Sequence, residues 1–170
     1  AAGAAAMSES FARGERVVHA QPATIADGIR IGAPGRRTFE IVRTHLDEIV
    51  TVSDDEITDA VVQTLEKSKV VAETAGVVGM AALAARKFAV TAEERVCAVV
   101  SGGNIDLNLL ARLIENGLAR SGATHLVDVR LPDRPGELAK VLGALAETGC
   151  NILDVQHYRA GWRVPVGFVD

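Results

Sequence analysis

Arg95-Val-Cys-Ala-Val-Val-Ser-Gly-Gly-Asn-Ile-Asp-Leu-Asn-Leu-Leu, residues 95–110, is the stretch on which the fold turns. An apolar run from Val96 to Val100 stops at Ser101-Gly102-Gly103-Asn104, and a helical pattern begins after it. That order predicts a buried parallel strand, a tight Gly turn and a helix. In open α/β sheets, ligands bind outside the carboxyl ends of the strands, so a cofactor would sit at this turn. Gly102 and Gly103 allow close approach to the backbone. Ser101 offers a hydroxyl there and Asn104 an amide. A plain strand-to-helix turn, capped by Asn104 or Asp106, accounts for the same residues equally well.

Composition narrows the class. The chain has 170 residues, 48% hydrophobic and 24% charged, with a net charge of −4. This composition suits a globular protein, and the length permits one domain or two small ones. No basic cluster exceeds two residues, which argues against a nucleic-acid footprint. No apolar run approaches the roughly 18 residues of a membrane span. The Ala-rich start lacks the basic flank of a signal peptide. Cys97 and Cys150 form no disulfide framework and fit a reducing cytoplasm. The four histidines are scattered, and no Cys/His cluster has metal-ligand spacing.

The rest of the chain is read outward from the Gly turn. Helices are predicted over residues 4–13 and 38–46, separated by a Gly/Pro/Ala-rich loop over 14–35. A short strand is predicted over 49–52. Ser53 and Glu56 have the spacing of a capping box, and the helix they open runs to about Lys69. Its apolar face carries Ile57, Val61, Val62 and Leu65. A second helix, rich in Ala and Gly, is predicted over 71–87, then strand 96–100 and helix 107–119. This alternation is that of an α/β protein. The pattern breaks at residues 120–123. A strand over 126–131 then leads to Pro132-Asp133-Arg134-Pro135-Gly136. A helix follows with Leu138, Val141, Leu142 and Leu145 on one face, closed by Gly149. Strands are predicted over 151–155 and 164–169. The order βαββ is the first part of a ferredoxin-like βαββαβ unit.

Four separated segments carry a resemblance: Thr24-Ile-Ala-Asp-Gly-Ile, Asp47-Glu-Ile-Val-Thr-Val-Ser-Asp-Asp-Glu-Ile, Glu73-Thr-Ala-Gly and Ser101-Gly-Gly-Asn-Ile-Asp. In this order they closely resemble the C-terminal half of the threonine dehydratases (threonine ammonia-lyases). That family has a tryptophan-synthase-β-like, fold-type II catalytic domain and uses pyridoxal phosphate. Leu131-Pro-Asp-Arg-Pro-Gly-Glu-Leu through Asn151-Ile-Leu-Asp-Val resembles the start of an ACT domain, an amino-acid-sensing module. The expected organisation is therefore a catalytic portion over 1–120, a linker over 121–123 and a partial ACT-like unit over 124–170.

The resemblance implies roles residue by residue. Ser101 matches the residue that hydrogen-bonds the pyridine nitrogen of the cofactor. A hydroxyl there leaves that nitrogen largely unprotonated and the ring a weaker electron sink, which favours β-elimination. Gly28 matches a backbone position beside the ring, and Glu73 an acidic residue near it. Gly102 and Asn104 complete the cofactor side. Thr74 departs from the pattern, since relatives often carry Pro or Gly there. Read from chemistry alone, Glu73 is equally an acid at a helix N-terminus, favoured by the helix dipole. Asp27 reads as fixing its own loop. Asp133, Arg134, Gly136, Asn151 and Ile152 match an effector-binding edge, where backbone groups and a helix N-terminus hold an amino acid's charged ends. Turn chemistry accounts for Asp133, Arg134 and Asn151 without an effector.

A lyase of this class needs a Lys bound covalently to its cofactor. None of Lys67, Lys69, Lys87 and Lys140 lies in the family's Ser-aromatic-Lys context, and the Gly-rich phosphate loop is also missing from these 170 residues. No catalytic residue is therefore assigned within the chain, and the chain alone is expected to be inactive. The parent enzyme is expected to deaminate L-threonine, and L-serine as a second substrate, to a 2-oxo acid and ammonia in the cytoplasm, on the route to isoleucine. Isoleucine or valine is the expected effector, and a homo-oligomer the expected assembly. Two other readings stand beside this one: a non-catalytic ACT-type sensing or assembly fragment, and serine racemase. Serine racemase shares the Thr24 and Ser101 motifs, but the ACT-like tail argues against it.

Overall fold

The computed structural model describes residues 1–159 and 165–169. The chain divides into two compact units, Ala1–Thr124 and His125–Asp170.

In the first unit, single 3₁₀ turns at Ala2–Ala4 and Asp27–Ile29 accompany five helices: α1 (Ala6–Arg13), α2 (Arg36–His45), α3 (Asp54–Ser68), α4 (Val78–Ala84) and α5 (Leu107–Arg120). α3 forms where the pattern places it. The Ser53 hydroxyl accepts from the Glu56 N–H at 3.1 Å, and the Glu56 carboxylate accepts from the Ser53 N–H at 2.7 Å. This reciprocal pair satisfies two of the free donors at the helix start. α3 packs against α4 and α5. Ile57, Val61, Val77, Ala81 and Leu113 form the centre of the core. α3 also meets α5 at its polar edge, where Arg120 reaches Asp59 at 3.0 Å and Asp55 at 3.0 Å. The flanking carboxylates, Asp59 foremost, raise the Arg120 pKa above its ordinary value.

The expected helix over 71–87 is shorter, because α4 begins only at Val78. Residues 73–76 form a turn instead, closed by the Gly76 N–H on the Glu73 carbonyl at 3.0 Å and held to the Gly102 carbonyl through the Glu73 N–H at 3.0 Å. The expected strands 49–52 and 96–100 are irregular. A strand is defined by its ladder. No described backbone group hydrogen-bonds along 96–100, and Val99 is 74% exposed. Cys97 is accordingly exposed, not buried.

In the second unit, β1 (Leu131–Pro132) pairs antiparallel with β2 (Phe168–Val169), Leu131 opposite Val169 and Pro132 opposite Phe168. α6 (Glu137–Glu147) follows β1 and packs on it. Pro135 precedes the N-cap residue Gly136, and Gly149 adopts φ +77° just past the helix end, as its position predicts. The expected strand 126–131 is reduced to its last residue and the following proline. Residues 151–155 are irregular, for want of a described ladder partner. Val164 lies outside the described residues, and the last strand covers Phe168–Val169.

Candidate functional site

Three loops meet in the first unit. The loop at Thr24–Ile29 ends in the Asp27–Ile29 turn, with the Ile29 N–H on the Ala26 carbonyl at 3.1 Å. The Asp27 carboxylate accepts the Gly28 N–H at 2.8 Å, so Asp27 fixes its own loop. The Glu73–Gly76 turn closes with the Gly76 N–H on the Glu73 carbonyl at 3.0 Å. The Ser101–Asn104 loop is tied to that turn twice. The Gly102 carbonyl accepts from the Glu73 N–H at 3.0 Å, and the Ser101 N–H donates to the Gly76 carbonyl at 3.4 Å.

Gly76 is required at this seam, where backbone blocks a Cβ, whereas Gly102 is crowded only by the end of the flexible Glu73 side chain. A Cβ on Gly76 would stand 2.9 Å from both the Gly102 nitrogen and the Gly102 oxygen, and a Cβ on Gly102 would overlap the Glu73 carboxylate. Glu73 therefore lies directly over the Ser101–Gly102 backbone. It precedes α4 by five residues, and the first turn of α4 holds no acid, so the helix-dipole reading does not apply. Gly28 faces the same turn, where an added Cβ would lie 3.0 Å from the Ala75 Cβ.

Ser101 and Asn104 are exposed, and neither side chain has a hydrogen-bond partner among the described residues. Asp106 caps α5, accepting from the Leu109 N–H at 3.0 Å. The capping duty that could have explained Asn104 is thus met by Asp106. Ser101, Gly102 and Asn104 form an open polar lip beside Glu73 and Gly28. A planar aromatic cofactor with hydrogen-bond acceptors fits that lip: a free hydroxyl, an unengaged amide and glycine backbone at its base.

The second set of residues behaves differently. Asp133 and Arg134 lie in an exposed turn, with the Arg134 N–H on the Pro132 carbonyl at 2.8 Å and Asp133 paired with Arg159 at 3.5 Å. Gly136, at φ +88°, caps α6 without a side chain. Asn151 and Ile152 are exposed. No described hydrogen bond joins them to the Asp133–Gly136 turn.

Three of the four lysines are committed elsewhere. Lys87 pairs with Glu56 at 2.7 Å, Lys69 donates to the Glu66 carbonyl at 2.7 Å, Lys140 pairs with Glu137 at 2.7 Å, and Lys67 is exposed in the last turn of α3. The Lys87 hydrogen bond, followed by that from Ser53, lowers the Glu56 pKa below its ordinary value. Among the described residues, no helix is long and apolar enough to cross a membrane.

Two residues of the junction were not singled out from sequence. Asp54, the first residue of α3, accepts from the Thr24 hydroxyl at 2.5 Å and from the Ile25 N–H at 3.1 Å. Gly76 supplies the close approach described above. Asp54 is masked by its position, because an acid after an N-cap serine reads as helix chemistry alone.

Glycine loops, a free Ser hydroxyl and an overlying carboxylate are thus brought together on a helical unit. The profile of the pyridoxal-phosphate dependent enzymes matches residues 1–102, and the chain belongs to that family. The ACT domain profile matches residues 125–169. The L-threonine ammonia-lyase of Thermotoga maritima is 47% identical over 156 residues, covering 92% of this chain and 38% of that protein. The chain thus spans about two-fifths of that relative's length. The processed form of threonine deaminase isoform 2 from Solanum lycopersicum superposes with a TM-score of 0.61 at 31% identity, covering 67% of this chain and 32% of that one. Maize serine racemase superposes with a TM-score of 0.55, also at 31% identity, over 66% of this chain and 36% of its own.

Proposed function

We propose that this chain is the C-terminal portion of a pyridoxal-phosphate dependent threonine ammonia-lyase that converts L-threonine to 2-oxobutanoate and ammonia. Residues 1–120 are its part of the catalytic domain, 121–123 the linker and 124–170 a partial ACT-like regulatory unit. The observation that carries the reading is the junction of the Gly28, Glu73 and Ser101 loops, with the Ser101 hydroxyl unpartnered at its lip. The similarity to the Thermotoga lyase runs on through the ACT-like part, which favours a lyase over a racemase.

Pyridoxal phosphate, when bound, withdraws electrons from the substrate's α-carbon and so eases loss of its proton. Ser101 would donate its hydroxyl hydrogen to the ring nitrogen. An alcohol is far too weak an acid to protonate that nitrogen, so the ring stays only moderately withdrawing, which suits elimination of the β-hydroxyl. Gly28 would present its backbone beside the ring, and Gly102, lacking a Cβ, would leave room for the Glu73 carboxylate next to it. Glu73 and Asn104 would hold polar groups at its edge. The reactive Lys is supplied from outside these 170 residues. L-serine, one methyl smaller, is a second substrate. Asp133, Arg134, Gly136, Asn151 and Ile152 would bind isoleucine or valine as effector, and the assembly is a cytoplasmic homo-oligomer.

Full-length protein is expected to release 2-oxobutanoate from L-threonine, and the 170-residue chain none. Borohydride trapping is expected to fix cofactor on the former only. Product from the isolated chain, or an adduct on one of its four lysines, would overturn this assignment.

A further inference from the structure

The Thr24–Ile29 loop is held from two sides, and the two holds differ in kind. On one side Asp54 takes the Thr24 hydroxyl and the Ile25 N–H. The Thr24 hydroxyl oxygen also accepts from the Ala26 N–H at 3.2 Å. These bonds fix the loop to the start of α3. On the other side a single side-chain bond reaches it: the Thr74 hydroxyl donates to the Ile25 carbonyl at 3.0 Å, across 49 residues of sequence. Thr74 is 2% exposed and belongs to the same turn as Glu73 and Gly76. Gly28 and Ala75, next to these partners, are already at close approach. A small displacement of one turn therefore shifts Gly28 directly against the Glu73–Gly76 turn.

We propose that Thr74 is a positioning residue: its hydroxyl sets the spacing between the Gly28 turn and the Glu73–Gly76 turn, and so the placement of Gly28 and Glu73 about the Ser101 lip. The inference rests on the reading of that lip as a cofactor site. Thr74 touches no reacting atom and acts through Ile25. Pro or Gly could not make this bond, since neither carries a side-chain donor. The Ile25 carbonyl also accepts from the Asp27 N–H at 3.1 Å, so it stays satisfied when the Thr74 hydroxyl is removed. Val has nearly the volume of Thr and keeps the buried site filled. Thr74→Val thus tests position with packing preserved, and Thr74→Ser keeps the donor.

The experiment is a fluorescence titration of full-length apo-protein with pyridoxal phosphate, for wild type, Thr74→Val and Thr74→Ser, with amide exchange followed at Ile29 and Arg30. The expected result is a Kd for the cofactor raised about five- to tenfold in Thr74→Val, the scale of one ordinary hydrogen bond. Exchange at those two amides accelerates in the same variant, and Thr74→Ser stays within about twofold of wild type on the same scale. A wild-type Kd in Thr74→Val, or a Thr74→Ser variant as weak as Thr74→Val, overturns this inference alone. A wild-type protein that binds no pyridoxal phosphate overturns the functional reading, and this inference with it.

Discussion

The junction of the Gly28, Glu73 and Ser101 loops and the Asp133–Asn151 region carry comparable numbers of candidate residues, yet they are built in opposite ways. The first lies on a packed unit in which Ile57, Val61 and Val77 are fully buried and three loops are tied by backbone and side-chain bonds. In the second, Val169 is the one buried residue among those described, α6 buries none, and the strand pairing is two residues long. A two-stranded ladder of this length is marginal by itself. A site can be organised by its own segment only where that segment closes on itself. Turns that close on one another place their residues locally, whereas an effector edge made of strands depends on ladders.

The comparison breaks most sharply in the cores. Ile57→Ala should cost the first unit about 2–5 kcal/mol, the range for a filled core site. Leu142→Ala, on half-buried α6, should cost roughly 1 kcal/mol, as befits partial burial. Urea unfolding followed by residue-resolved amide exchange reads both. Equal costs would erase the contrast. Gly76→Ala comes next. Its methyl meets the Gly102 backbone, so the seam must open, and activity of the full-length protein should fall by on the order of 100-fold, as for a misplaced catalytic geometry. Steady-state kinetics checks it, and an unchanged kcat/KM would show that the seam does not set the site.

Smaller effects sharpen the picture. Ser53→Ala removes the hydroxyl half of the α3 capping box and should cost about 1 kcal/mol in thermal or urea unfolding. Glu56 supplies the other half. Its pKa is lowered in the folded state, so its contribution is complete above the ordinary glutamate value and is lost as pH falls through the lowered one. The stability gap between wild type and Glu56→Gln should therefore be constant near neutrality and close on acidification below the ordinary value. A gap that widened there would reverse the sign. Smallest of all, breaking the exposed Asp133–Arg159 pair by Asp133→Ala should change stability by less than about 0.5 kcal/mol, as for most surface pairs.

Much of this was legible in the residues, for physical reasons that differ by element. Helices α3, α5 and α6 announce themselves because their signals are local: Ser53 with Glu56, Asp106 before an apolar run, Gly149 after one. The expected tight turn at Ser101–Asn104 is an irregular loop, and which of Asn104 and Asp106 caps the helix is settled only by the Leu109 N–H on Asp106, since both have suitable side chains. The strand over Val96–Val100 was over-read. An apolar β-branched run states a preference, but the ladder that makes it a strand lies in another segment. The helix over 71–87 is only Val78–Ala84, because residues 73–76 close into a turn pinned to the distant Ser101–Asn104 loop, a contact that no local pattern announces. Thr74 was visible only as a departure from Pro or Gly. Its meaning appears once Ile25 is seen beside it.

The most direct test of the account is 2-oxobutanoate release from L-threonine by the full-length protein, with bound pyridoxal phosphate read from its absorbance, for wild type and Ser101→Ala. Product and bound cofactor are expected in the wild type, and lowered kcat/KM with altered cofactor absorbance in the variant. Contradiction would be a wild type with neither cofactor nor product, or a Ser101→Ala protein indistinguishable from it in both.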